Sequence, residues 1–430
     1  MEFKLQLAPT LIDAPDKPKL ELHPLISAFG PVEPSPCISG GFVFSGGMKR
    51  FRSAIGLLLA LVLSTAGSFA REYLVYFGTY TGAKSRGIYV SRFDTATGKI
   101  SAATLAAETA SPSFLALHPN GRFLYAAGES SEVGGAKQGG VTTFVIEPDG
   151  KLKPLNTQPS GGNGPCHLAV DAQGRFVFTA NYGSGSVAAL PIRKDGSLDA
   201  PASTMQHAGS SVNQQRQEGP HAHCVNLSPD QRFLLACDLG LDKVMIYQLG
   251  AKAHALSANE PAFATVAPGS GPRHLAFDPR GKFVYVVNEM SSTVTVFAYD
   301  ARRGALREVQ TISTLPKDFT GQSWCAEIAV HPSGKFVYAS NRGHDSIAVF
   351  AADRRSGRLT LVELQPTQGR TPRHFALDPT GSWLLAENQA SDNVVVFHVD
   401  TRTGALSASG QKLEVPSPVS AVFLEMPSRP

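Results

Sequence analysis

Phe277-Asp-Pro-Arg-Gly-Lys-Phe-Val284, Val330-His-Pro-Ser-Gly-Lys-Phe-Val337 and Leu377-Asp-Pro-Thr-Gly-Ser-Trp-Leu384 are copies of one unit. Pro presets φ at the first corner of a turn and Gly accepts positive φ at its end, so each copy reads as a tight turn between two β-rich runs. His118-Pro-Asn-Gly-Arg-Phe-Leu124, Asp171-Ala-Gln-Gly-Arg-Phe-Val177 and Ser228-Pro-Asp-Gln-Arg-Phe-Leu234 complete six copies. Their Pro positions, or the equivalents, are 119, 172, 229, 279, 332 and 379, about 52 residues apart. Around the turn at 279 the pattern predicts strands over 272–278, 283–288, 293–299 and 306–312. Four strands and no helix at this period predict an all-β fold, a β-propeller with four-stranded antiparallel blades.

The chain ends set the blade count. Tyr73-Leu-Val-Tyr-Phe-Gly78 matches a second strand with no first strand before it. Ser417-Pro-Val-Ser-Ala-Val-Phe-Leu424 matches a first strand with no second strand after it. The C-terminal strand is therefore expected to pair into the first blade, closing a seven-bladed ring and removing its exposed edges. Residues 71–430 are expected to form this one domain.

Met48-Lys-Arg-Phe-Arg52, the apolar run Ala54 to Leu63 and the small-residue tail Ser68-Phe69-Ala70 have the order of a secretory signal peptide over 48–70. The apolar run is too short to span a bilayer about 30 Å thick, so no stable membrane anchor is expected after cleavage. Residues 1–47 are Pro-rich and aperiodic, and are expected to be disordered or untranslated, with synthesis starting at Met48. An exported location, periplasmic or secreted, follows; an internal apolar segment in a cytoplasmic protein is the alternative.

Apolar residues make up 42% and charged residues 17% of the 430, a core-forming composition. The net charge of +4 is too small for a nucleic-acid footprint, so no nucleic acid is expected as partner. Five cysteines exclude a disulfide scaffold, and no CxxC pair supports structural zinc. No cofactor and a monomer or weak dimer are expected. Cys224 and Cys237 stand symmetrically about the turn at 229–232 and are expected to oppose each other across a hairpin, as a disulfide or as two buried thiols. Cys166 and Cys325 start first strands as small packing residues.

Aligned repeats act as their own control. Nine residues after the turn Pro the column is nearly uniform, Asn181, Asp238, Asn288, Asn341 and Asn388, as suits a side chain that bonds a strand-ending turn. Three other columns differ from blade to blade. Six before the Pro stand Ser113, Cys166, His223, Arg273, Ala326, Arg373 and Val419, followed by Phe114, His167, Cys224, His274, Glu327, His374 and Ser420. Ten after it stand Glu129, Tyr182, Leu239, Glu289, Arg342 and Gln389. The start of a first strand and the end of a second lie at the same end of a hairpin, and first strands line the channel of a propeller. His223, Arg273, Glu289, Arg342 and Arg373 are thus expected at one mouth, with Tyr182 and Glu129 nearby. Packing gives no reason for such charge differences, although a network of channel salt bridges would also produce them.

Arginine forks suit a carboxylate, a phosphate or a developing oxyanion. Glu289 or neutral His223 has the chemistry to take a proton from water. No G-x-S-x-G nucleophile elbow is present. His221 and His223 alternate along one strand but lack a third ligand, so no metal site is expected.

Gly219-Pro-His-Ala-His223, Gly271-Pro-Arg-His274, Asn288-Glu289, Asn341-Arg-Gly343 and Thr371-Pro-Arg-His374 resemble the lactonase family of seven-bladed propellers, which includes propeller-type 6-phosphogluconolactonases and carboxy-muconate cyclases. The resemblance runs from about Tyr73 to Leu424. It implies a carboxylic ester hydrolase acting on a sugar lactone, with His223, Arg273, Glu289 and Arg342 as catalytic residues. Arg373, Tyr182, Glu129, His167 and His274 are the expected substrate-binding residues. Export makes a phosphorylated lactone a poor physiological substrate and favours an extracytoplasmic sugar lactone or related ester. A non-catalytic propeller binding protein or polysaccharide, and a lactonising cyclase of the muconate type, are the alternatives.

Overall fold

In the turn at 278–281 the Asp278 carboxylate accepts the N–H groups of Lys282 (2.5 Å) and Phe283 (2.7 Å). The Gly281 N–H closes onto the Asp278 carbonyl at 2.8 Å, with Gly281 at φ +63°. Side chain and backbone together satisfy the polar groups where one strand becomes the next. The strands on either side are Pro272–Phe277 and Phe283–Asn288, and Thr293–Asp300 and Ala305–Ser313 complete this fifth blade in antiparallel order. These spans match the sequence expectation to within one residue at nearly every end.

A computed structural model of the protein describes residues 71–426 apart from 131, 134, 138 and 251–255. The expected extension (1–47) and signal segment (48–70) lie outside the described residues. The described chain forms seven four-stranded antiparallel blades, the first with an additional two-residue strand, Lys99–Ile100. Second strands such as Phe283–Asn288 and Trp383–Asn388 are buried at every residue because neighbouring blades cover both faces. Apolar clusters lie between blades. Leu235, Val244 and Ile246 of the fourth blade pack on Leu275, Val284 and Phe297 of the fifth. Tyrosine hydroxyls add polar stitches: Tyr76 donates to the Gly150 carbonyl, Tyr125 to Gly196 and Tyr338 to Gly404, each in the following blade.

The ring closes as expected. Pro418–Glu425 is the innermost strand of the first blade and pairs antiparallel with Glu72–Thr79, from Tyr73↔Glu425 to Gly78↔Ser420. Cys224 and Cys237 are register partners, and both are buried free thiols. The uniform Asx column is structural. Asn181, Asn341 and Asn388 donate to the carbonyls of Ser160, Thr314 and Thr367, and Asn288 donates to Thr293 and Thr295.

Each first strand begins with a β-bulge. In the fifth blade Pro272 pairs with Asn288 and His274 with Val287, so Arg273 has no partner. Ser113, Cys166, His223 and Arg373 are the extra residues of their blades in the same way, and Val419 is that of the first. In the sixth blade the bulge is wider: Ala326 and Glu327 together oppose Ser340. A bulge bends its strand and re-aims the unpaired side chain. The extra residues are the column six positions before the turn Pro, joined in the sixth blade by Glu327 of the next, and both columns vary in chemistry.

Truncation after Glu414 would leave Glu72–Thr79 as an open edge whose Tyr76 and Phe77 are fully buried in the closed ring. A fall in Tm on the order of 10 °C or more, with aggregation on size exclusion, is expected. An unchanged melting curve would show that the ring does not need this closure.

Candidate active site

The end of each second strand is tied to the start of its first strand. The N–H of Glu289 donates to the Gly271 carbonyl at 2.7 Å, that of Tyr182 to Gly164 and that of Glu129 to Ser111. Gly271 and Gly164, at φ +62° and +63°, supply the left-handed corner that brings the chain into the bulge. The bulged residues and the strand-end residues therefore meet at one mouth of the channel. There they line a basin of about 420 Å³ formed by Glu129, Cys166, Tyr182, Arg216, His223, Glu289, Arg342 and Arg373, with Gly164 and Gly183.

Glu289 is the hub. Its Oε1 accepts from Arg216 Nη2 at 2.8 Å, and its Oε2 lies 2.9 Å from Arg342 Nη2 and 3.1 Å from Arg273 Nε. Arg342 Nη2 also donates to the Cys325 carbonyl (3.0 Å), which fixes its fork. Across the basin Arg373 donates to the Tyr80 hydroxyl (3.0 Å), which donates to Glu129 (2.9 Å). The Arg373 guanidinium lies over the Tyr80 ring, 5.3 Å from its centroid. His223 has its Nδ1 3.8 Å from the Cys166 sulfur.

The expected site residues fall into two layers. His223, Glu289, Arg342, Arg373, Tyr182 and Glu129 line the basin. Arg273 lies beneath it, joined to Glu289 and lining a chamber of about 10 Å³, room for roughly one water. His167 and His274 are inside the channel rather than on the basin wall. His167 stacks on Phe114 with centroids 4.0 Å apart, and His274 Nδ1 lies 2.9 Å from Glu327 Oε2. They follow the bulged residue, and side-chain alternation turns them inward. His221 immediately precedes the strand Ala222–Leu227, and His223 is the bulged residue within it. The two rings instead pack against Tyr182, at 4.4 and 5.5 Å. Among the described residues, no group of three His, Cys, Asp or Glu is placed to hold a metal.

Two groups at this mouth, Arg216 in the basin and Tyr80 in the chamber beneath it, escaped the repeat comparison. Arg216 belongs to the connection between the strands Ser203–Gln206 and Ala222–Leu227, where no column exists. The signal was length, because the spacing from 172 to 229 is the longest between successive turns. Tyr80 follows Thr79, which pairs with Pro418 as Asn288 pairs with Pro272, so Tyr80 occupies the column of Glu289. Lacking a Pro turn, the first blade offered no origin from which to count. Cys166, expected as packing, also lines the basin.

Charge sets the roles. Burial raises the Glu289 pKa, but Arg342, Arg273 and Arg216 overcome it and hold the carboxyl at about 2. Burial, and then Arg273, His274 and Arg373, push His223 well below the usual imidazole range, so it is neutral at neutral pH. Burial raises the Cys166 thiol, which leaves it protonated. The mouth thus offers a neutral imidazole beside ionised arginines anchored on a weakly basic carboxylate.

Residues 74–423 match the family model described as "Lactonase, 7-bladed beta-propeller". A 6-phosphogluconolactonase of Bacillus subtilis (strain 168) is 42% identical over 305 residues, 71% of this chain and 84% of that protein. A 6-phosphogluconolactonase of Formosa agariphila is 34% identical over 308 residues, 70% of this chain and 86% of the relative. Among solved structures, a periplasmic gluconolactonase of Pseudomonas aeruginosa superposes with a TM-score of 0.77 at 36% identity, covering 83% of this chain and 100% of that one.

The buried histidines make stability pH-dependent. His167, His223 and His274 (about 4) all have folded pKa values below the unfolded value near 6.5. Their stabilisation is therefore present above that pH and lost as pH falls through it, by up to about 1.4 kcal/mol per pH unit for each. His374 and its partner Glu387 are raised and oppose them, two groups against three. The urea midpoint is expected to fall between pH 7 and pH 5. A midpoint that rises or stays level would contradict the neutral-histidine assignment.

Proposed function

The chain belongs to the seven-bladed β-propeller lactonase family and is a lactone-hydrolysing enzyme, a carboxylic ester hydrolase acting on a sugar lactone; from that premise we propose that hydrolysis takes place in the basin, with His223 as general base and the arginines as electrophilic clamp. The observation that carries this reading is the neutral His223 imidazole beside three guanidiniums gathered on Glu289.

His223 takes a proton from water as the water oxygen adds to the lactone carbonyl carbon. The carbonyl oxygen becomes an oxyanion held by Arg342 and Arg373, whose charge needs no reorganisation as it forms. Collapse breaks the ring C–O bond, and the proton on His223 passes to the departing alkoxide oxygen. The product is the open hydroxy acid, which ionises and releases one proton to solvent. Glu289, held at about 2, is a poor base and serves instead to fix Arg216, Arg273 and Arg342. Tyr182 and Glu129, on the basin wall, bond sugar hydroxyls in this reading. Four arginines face two carboxylates around the site, which favours a substrate that carries or develops negative charge.

The signal-like segment 48–70 supports export, and with it an unphosphorylated extracytoplasmic aldonolactone rather than a phosphorylated one. The periplasmic gluconolactonase among the similar structures is in keeping with this.

Proton release with gluconolactone and with 6-phosphogluconolactone, measured in a pH-stat on the chain from Arg71, tests the activity. His223→Ala is expected to lower kcat by about 10²–10⁴-fold with little change in Tm. Arg373→Ala is expected to act mainly on KM. A His223→Ala enzyme with undiminished kcat would remove the general base from the account. Cell fractionation tests the location: a mature N-terminus near Arg71 outside the cytoplasm is expected, and an uncleaved cytoplasmic chain would contradict export.

A further inference from the structure

Glu327 is the one carboxylate in a column that otherwise carries histidine, an aromatic ring or a small side chain. The sixth blade widens its bulge to accommodate it, with Ala326 and Glu327 both opposite Ser340. Its backbone N–H donates to Ser340 Oγ (2.9 Å), and its own Oε1 accepts the N–H of Ile328 (2.9 Å). The residue is thus held by its backbone and by one carboxylate oxygen inside the channel, where it is 8% exposed. Oε2 lies 2.9 Å from His274 Nδ1 and 3.5 Å from His374 Nε2. His374 in turn bonds Glu387 through Nδ1 at 2.8 Å. On its other side, His274 Nε2 lies 3.3 Å from Arg273 Nη1, which also donates to the carbonyl of Ala326 in the same bulge (2.6 Å), and Arg273 contacts Glu289.

This chain of contacts has one consistent proton pattern. A carboxylate accepts, so His274 carries its hydrogen on Nδ1 and leaves the Nε2 lone pair to accept from the Arg273 guanidinium. We propose that Glu327 is a positioning residue of the hydrolytic site: it fixes the tautomer of His274 and, through it, the orientation of Arg273 against Glu289. The proposal rests on the basin being the site of hydrolysis, although the tautomer itself does not. Glu327 makes no contact with the basin and acts only through its neighbours. The arrangement parallels the carboxylate–histidine pairs that orient reactive groups elsewhere, except that the group oriented here is a guanidinium.

Glu327→Gln removes the charge at nearly constant volume. The expected result is a kcat lowered about tenfold or more with KM within about threefold, and loss of the Nδ1–H tautomer signature of His274 in ¹⁵N-histidine spectra. A second pair of variants leaves Glu327 intact. His274→Gln keeps an acceptor near the Nε2 position and is expected to retain more turnover than His274→Asn, which keeps only the donor towards Glu327. An unchanged kcat in Glu327→Gln, an unchanged His274 tautomer, or equal turnover in the two His274 variants would overturn the proposal. If Glu327→Gln does not fold, the His274 pair decides the matter. If the wild-type chain hydrolyses no lactone, the function assigned to the basin fails, and the His274 tautomer in wild type and Glu327→Gln still decides whether Glu327 sets it.

Discussion

A first strand that carries one residue more than its partner can pair is the constraint on which the site depends. Regular pairing would alternate side chains between the two faces of each blade, and both faces are filled by neighbouring blades. The bulge releases one residue per blade from that alternation and tips it toward the axis. Seven such residues around one mouth form a ring in which identity is free to vary, because none of them is needed for the inter-blade core. Ser113 and Val419 leave their part of the ring small, and His223, Arg273 and Arg373 make the rest reactive.

The buried charges of this ring are arranged in pairs and hubs. An isolated guanidinium or carboxylate at this depth would carry a desolvation cost of several kcal/mol. Glu289 meets that cost with three arginines, and Glu129 meets it with Arg373 through Tyr80. Burial, reinforced by the same crowding of positive charge, keeps His223 neutral. In the proposed mechanism, acid–base competence is a by-product of that burial and of the charges that hold the arginines in place.

The fold was legible in the sequence to the level of individual strands because its determinants are local. Pro-x-Gly turns, alternation and a repeat near 52 residues each leave a mark on the chain, and Tyr73–Gly78 and Ser417–Leu424 announced the closure by being half a hairpin each. The basin was partly legible, since comparing blades needs no three-dimensional information. It missed Arg216, which lies outside any repeat, and Tyr80, whose blade has no turn to count from. His167 and His274, expected to bind substrate, lie inside the channel rather than on the basin wall. Counting along a strand does not reveal that a bulge separates one position from the next, sending Arg273 toward Glu289 and His274 into the channel. Glu327 was visible as an exception in its column, but its meaning came only from the contacts on either side.

The central claim is that the mouth formed by the bulged residues binds the reacting lactone. The most direct measurement is a crystal structure of His223→Ala with an aldonolactone or its open aldonate. The account predicts the ligand in the basin, its carboxyl or carbonyl oxygen within hydrogen-bond distance of Arg342 or Arg373 and its reacting carbon facing the position vacated by the imidazole. A ligand bound at the opposite mouth of the channel, beside Leu377 and Phe423, with the basin empty, would contradict it.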